Sequence, residues 1–135
     1  MRILVIAFFF LACAWSYAYP RDSGQWSQND PEISAWFRSL MEPNPGSYPR
    51  SCCGESDAYY ADKTVIKDEH TFAVITDDRD DVLLRRPHID VGTLILIPAE
   101  KMIVKRENPT GHDIIFTKEL GGTYIVYCFI TGLKV

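Results

Sequence analysis

Two adjacent cysteines, Cys52 and Cys53, and a third, Cys128, close to the end of the chain constrain the fold more than any other feature. Neighbouring side chains point to opposite faces of a strand, or about 100° apart on a helix, so one partner cannot readily bond both. One of the pair is therefore expected to bridge to Cys128, and Cys53 is the one taken here. Closing the loop from 53 to 128 would contribute about 4.5 kcal/mol in the chain-entropy description. That is a large share of the roughly 5–15 kcal/mol that holds a small domain together. A vicinal Cys52–Cys53 bridge is sterically strained and is the weaker alternative. The cysteine left over is expected to be buried, as unbridged cysteines usually are. An accessible thiol or an intermolecular bridge are its other fates.

A disulfide needs an oxidising compartment, and the chain's beginning bears on that. Arg2 is followed by an unbroken apolar run over residues 3–12, and Ser16-Tyr17-Ala18 offers small residues at the two positions a signal peptidase reads. A positive start, a short apolar core and a small-x-small end form a cleavable signal peptide, read here as residues 1–18. The run is too short to cross a bilayer, which takes about 20 apolar residues. Ala12-Cys13-Ala14 offers a second cleavage point, and Phe10-Leu11-Ala12-Cys13 a faint acylation pattern that would make Cys13 a lipidated N-terminus. Either processing leaves Cys52, Cys53 and Cys128 to pair, an odd number in a periplasmic or secreted domain.

Residues 19–28 are polar and read as a flexible lead-in, and residues 29–135 as one disulfide-containing domain, long enough for a single hydrophobic core. The formal net charge of the whole chain is −4, and the signal carries one base and no acid, so the remainder is one unit more acidic. A mildly acidic surface without a Lys/Arg track argues against nucleic acid and anionic membranes as partners. No second apolar stretch reaches membrane-spanning length.

Asp30-Pro31-Glu32 is a helix start: a capping side chain, a proline at the first helical position and an acid against the positive helix end. Ile33, Trp36, Phe37, Leu40 and Met41 follow at helical spacing and form one apolar face, which predicts an amphipathic helix ending before Pro43. Residues 42–50 are a proline-rich turn region. The pattern then changes to strands, expected over 70–76, 93–97, 101–104, 113–117 and 123–130, with Asp77-Asp78, Gly92, Pro98, Asn108-Pro109 and Gly121-Gly122 as breakers. Asn108-Pro109-Thr110-Gly111 fits a type I turn, which would join 101–106 to 112–117 as a hairpin. One helix before five or six short antiparallel strands predicts an α+β domain with a small sheet or partly closed barrel.

Ser51-Cys52-Cys53-Gly54-Glu55-Ser56-Asp57 packs two thiols and two carboxylates into seven residues. A thiolate becomes a useful nucleophile beside a base or a cation. His112, at the tip of the predicted hairpin, is the imidazole best placed for that, with Asp57 as its orienter, so Cys52, His112 and Asp57 form the candidate catalytic set. A Cys, His and Asp/Glu metal site is the parallel reading. Neither has diagnostic spacing, and Glu55 and Asp57 serve equally as caps of a turn or short helix. No cofactor is implied.

The segment 51–59 (SCCGESDAY), together with Ile75-Thr76-Asp77, Arg86-Pro87-His88, Val91-Gly92-Thr93, Pro98 and Lys101, residues 108–112 (NPTGH) and Val126-Tyr127-Cys128-Phe129, resembles a group of small exported proteins of alphaproteobacteria, rhizobial types especially. The likeness covers most of the chain after the signal and implies an exported bacterial protein, with no activity attached to the group. Related Cys-Cys-Gly proteins often carry a further cysteine just after the Asp, where Ala58 stands here. That departure leaves three cysteines where two bridges would need four.

The composition and the incomplete catalytic set point to a non-enzymatic periplasmic or secreted module that binds an envelope or extracellular protein or a small ligand. The alternative is a thiol- or metal-dependent enzyme centred on Cys52/Cys53 with His112 and Asp57. A third reading is an assembly role through an intermolecular disulfide.

Overall fold

In the computed structural model, residues 30–132 are described; the segment 1–18 read as a signal peptide (with Cys13), the 19–28 lead-in and the last three residues lie outside them. The predicted helix is α1 (Pro31–Ser39), capped as expected, with the Asp30 carboxylate accepting from the Glu32 and Ile33 amides at 3.0 and 3.1 Å. It stops earlier than the apolar face suggested. Leu40 already has extended backbone (φ −75°, ψ 129°), so Met41 leaves the helical stripe and lies exposed, bridged to Ser51. Phe37 and Leu40 are the buried anchors of that stripe.

Seven strands follow: β1 (Ala58–Tyr60), β2 (Lys63–Lys67), β3 (His70–Val74), β4 (Leu94–Leu96), β5 (Met102–Ile103), β6 (Ile114–Leu120) and β7 (Thr123–Ile130). They form two sheets, β1-β6-β7-β5 and β2-β3-β4. The fold is therefore α+β as expected, built as two sheets and not a closed barrel. Pairing is antiparallel except at β5, which runs parallel to β7. The expected 101–106/112–117 hairpin does not form, because residues 108–112 close on themselves and release β5 to the far edge of β7.

Cross-strand rows of the four-stranded sheet alternate between two cores. Ala58, Phe116 and Cys128 share one row and face α1 together with Ile114 and Ile130. Tyr59, Ile115 and Phe129 face the other way, onto Ala73, Ile75, Ile95 and Ile97 around the three-stranded sheet. A register shift between Phe116 and Thr117 brings Val126 into this second core. The result is three layers: helix, large sheet, small sheet.

Both hairpin turns use the left-handed backbone that a two-residue type I′ turn requires. Gly121-Gly122 supplies it between β6 and β7 (φ 61° and 80°), where the sequence announced a break. Asp68-Glu69 supplies it between β2 and β3 with φ 49° and 63° and no glycine, which is why β2 was not foreseen.

Candidate functional site

The site is built on the outer edge of β1. An edge strand exposes unpaired backbone groups, and here the long segment 76–93 between β3 and β4 covers them. The Thr76 amide donates to the Tyr60 carbonyl at 2.9 Å, the Tyr60 amide donates to Asp77 Oδ2 at 2.9 Å, and Arg86 Nη1 donates to the Ala58 carbonyl at 2.6 Å. Arg86 is almost wholly buried over the Tyr59 ring, its charge met by Asp77 at 2.8 Å and Asp81 at 2.6 Å. The Tyr59 hydroxyl donates to the Pro87 carbonyl at 2.6 Å and fastens the same segment. Burial by itself would raise the Asp77 carboxyl. The hydrogen bonds from Arg79, Arg86 and the Tyr60 amide outweigh it and hold Asp77 well below the ordinary carboxylate range. Asp77 is thus a carboxylate shared by two guanidiniums.

The second of these, Arg79, grips Asp77 through both Nε (2.8 Å) and Nη2 (2.7 Å). Its guanidinium lies 3.6 Å from the centre of the Tyr60 ring, and the His112 imidazole lies 3.9 Å from that ring at 8°. Two planar groups this close to one centroid must occupy opposite faces. Arg79, Tyr60 and His112 therefore form a three-layer stack, which fixes Tyr60 between two basic groups.

His112 is fixed from behind. The buried Asn108 accepts from the Thr110 amide at 3.0 Å and donates to the His112 carbonyl at 2.7 Å, closing residues 108–112 as an Asx turn. A Cβ on Gly132 would come within 2.8 Å of the Gly111 backbone, so the chain after β7 clamps this turn closely. Asp62 then accepts from the Asp113 amide at 2.8 Å and meets His112 Nδ1 at 2.7 Å. A carboxylate only accepts, so the proton of this bond sits on Nδ1 of the imidazole.

Tyr60, Arg79 and His112 line a groove of about 350 Å³ with Glu55, Thr110 and Pro109. Ser34, Ala58 and Leu84 line an adjoining lobe of about 170 Å³ that shares Asp30, Ile33, Phe37, Glu55 and Arg79 with the groove, so its walls are mixed polar and apolar. Glu55 sits in a short 3₁₀ turn (Glu55–Asp57) against α1, where Ser34 Oγ donates to it at 3.4 Å. The acids of the groove thus come from α1 and the turn packed on it, the bases from the stack on Tyr60. Arg79 Nη1, Tyr60 Oη and His112 Nε2 have no hydrogen-bond partner among the described residues.

The sequence-predicted set divides differently. The bridge joins Cys52, not Cys53, to Cys128, across a separation of 76 residues. The reason is local. Cys52 continues the extended segment paired through Met41 and Ser51, and its side chain enters the α1-side core opposite Cys128. At Cys53 the backbone turns left-handed (φ 79°), which directs its thiol out of that core. Cys53 is half-buried, not buried, with Sγ 3.7 Å from the Ser51 carbonyl. A bridged Cys52 offers no thiolate, so the Cys52–His112–Asp57 set lacks its nucleophile. Asp57 is buried in the 3₁₀ turn, and it is Asp62 that orients His112. Among the described residues no three His, Cys, Asp or Glu side chains cluster as a metal site would require. Among them, too, no helix is long and apolar enough to cross a membrane.

Sequence reasoning missed Arg79, Tyr60 and Asp62. One signal was present: a segment of this length without regular structure inside a small domain usually carries function. No protein-family model, curated protein or solved structure matches this chain.

Proposed function

We propose that this chain is an exported, disulfide-locked binding module of the periplasm or the extracellular space, and that its ligand is a small molecule seated in the groove between α1 and the Tyr60 stack. The observation that carries this reading is the convergence of Arg79, Tyr60 and His112 on one concave surface that continues past Ile33 and Phe37 into a second lobe. A few fixed polar groups beside apolar walls are what small-ligand sites consist of. The groups are held before any ligand arrives: Asp77 and Arg86 fix Arg79, and Asp62 and Asn108 fix His112. Preorganisation of this kind lowers the ordering cost of binding. The Cys52–Cys128 bridge supports the oxidising compartment, as does the signal-like start of the chain. A fragment library screened by thermal shift tests the reading, because a ligand that binds only the folded state raises Tm. Hits on the wild type are expected to lose most of their shift in His112→Ala. Hits that stabilise both proteins equally, or a library without hits, would overturn the groove as the site.

One observation favours a second reading, acid–base chemistry at His112. Asp62 engages Nδ1 of an imidazole that lines the groove, which is the arrangement of an oriented general base. It differs from a thiol enzyme in needing neither Cys52 nor Cys53. Hydrolysis of chromogenic esters that survives Cys53→Ser and disappears in both His112→Gln and Asp62→Asn would establish it. Activity insensitive to either change would dismiss it.

A further inference from the structure

The stack beside the groove ends in an open ring. Arg79 and His112 cover the two faces of Tyr60, so Tyr60 offers the groove only its edge. The His112 imidazole is covered on one face by Tyr60, at 3.9 Å between centroids and 8° between planes. Its Nδ1 corner is taken by Asp62. The side chain is nevertheless 42% exposed. A planar ring with one face covered and one corner bonded owes such exposure to its opposite face and its remaining edge. His112 lines the groove with Ile33, Phe37 and Thr110, so the open face borders that space.

We infer that the groove takes a small planar aromatic compound, whose ring stacks on the open face of His112 and adds a fourth layer to Arg79, Tyr60 and His112. The assignment rests on the groove being the binding site. The platform is rigid before a ligand arrives: Asp62 and the Asx turn hold the imidazole, and Asp77 holds Arg79. A flat ring meets a flat face with all its atoms, and dispersion grows with every atom pair in contact. Aromatic rings favour such offset stacking, and histidine is one of the side chains on which planar bases are seen to stack. A saturated ring or chain touches the same face at fewer atoms. A sugar presents C–H groups, which suit an electron-rich face. Here a guanidinium beneath Tyr60 draws electron density away from the His112 end of the stack. Ile33 and Phe37, on the α1 side, are available to the second face of the bound ring. A volume of about 350 Å³ suits one compact ring system.

The test is NMR titration of the chain from residue 19 onward with indole, benzyl alcohol, cyclohexylmethanol and methyl glucoside. Amide shifts report where each compound binds, and the carbon-bound protons of the His112 ring report how. Benzyl alcohol and cyclohexylmethanol carry the same polar group on a flat and a puckered ring. At least one of the two aromatic probes is expected to bind and to move the His112 ring protons upfield, as a ring current above that face requires. Cyclohexylmethanol should bind about two- to tenfold more weakly than benzyl alcohol, the scale of an aromatic pair, and leave those protons unshifted. His112→Phe keeps a flat face and should keep the aromatic preference, whereas His112→Leu should abolish it. The probe comparison needs no variant, so a poorly folding protein cannot obscure the result. Equal binding of the flat and puckered rings, or tighter binding of the glucoside, would overturn the stacking while the groove stands as a site. So would a folded His112→Phe that loses binding as fully as His112→Leu, because a ring nitrogen and not the face would then be what the ligand uses. Silence of every groove residue toward all four probes and toward the fragment library would remove the groove itself.

Discussion

Two of the irregular segments that wall the groove are fastened in opposite ways. Residues 40–57 follow α1 and are tied covalently: Cys52 is bonded to Cys128 on β7, with the Cys52 amide donating to the Leu40 carbonyl at 3.0 Å. Residues 76–93 carry no covalent tie. They hold to the β1 edge through Asp77, Arg86 and Asp81, charges buried over Tyr59. The first fastening responds to reductant and is indifferent to acid; the second is the reverse. The first orients Glu55 and the α1 wall, the second orients Arg79 and Leu84. Damage to either should therefore reach the groove, but under different conditions.

Breaking the covalent side should have the largest effect. Replacing Cys52 and Cys128 together by Ala is expected to lower stability by about 4.5 kcal/mol, the chain-entropy value for a loop of this size. Urea unfolding of wild type and variant, each with and without reductant, measures it; the variant should be insensitive to reductant. Next comes the charged side. Asp77→Asn leaves Arg86 buried with a weaker partner and should cost about 4 kcal/mol, within the range for breaking a buried ion pair. Its pH signature separates it from the first change. Asp77 titrates below its unfolded value, so its contribution is complete above about pH 4 and fades as pH falls toward the folded value. Stability curves of wild type and Asp77→Asn should converge in acid, whereas the disulfide variant should run parallel to the wild type.

A smaller effect belongs to Tyr59. Tyr59→Phe keeps the ring under Arg86 but removes the donor to the Pro87 carbonyl, and about 1 kcal/mol is expected. Unfolding by denaturant would resolve that, and no loss at all would mean the segment is held by charge alone. The smallest effect lies at the surface. His88 meets Asp81 through Nδ1 at 2.6 Å and Asp90 through Nε2 at 3.0 Å, two acceptors that hold the ring doubly protonated and raise its pKa. The stability it adds is complete below the ordinary histidine value of about 6.5 and fades as pH rises through the raised one. NMR titration of the ring should show the shift, and His88→Gln should flatten the alkaline side of the stability curve. The ring is exposed, so salt should weaken this contribution first.

Helix α1 was legible because capping and periodicity agree at Asp30, Pro31 and the Ile33–Trp36–Phe37–Leu40 face. Strand β7 was legible as an apolar run behind a double glycine. Strands β1 and β2 were not: one is three residues long, and the other ends in a turn with no glycine or asparagine. The choice between Cys52 and Cys53 turned on a single left-handed backbone angle, which no side-chain pattern announces. His112 was marked in advance, but its partner was not. Asp62 and Asp57 are equivalent as letters, and only the fold of β1 against β6 brings one of them to the imidazole. Arg79 looked like one charge in an acidic run until Tyr60, Asp77 and Arg86 met around it.

The most direct test of the groove is amide-shift mapping of the ¹⁵N-labelled chain from residue 19 onward during titration with any fragment that raises its Tm. The outer face of the three-stranded sheet, where Val65, Phe72 and Leu96 share a row, is the internal control. Shifts confined to Ile33, Glu55, Tyr60, Arg79, Leu84 and His112 are the predicted result. Shifts centred on the Val65–Phe72–Leu96 row, with the groove unmoved, would contradict it.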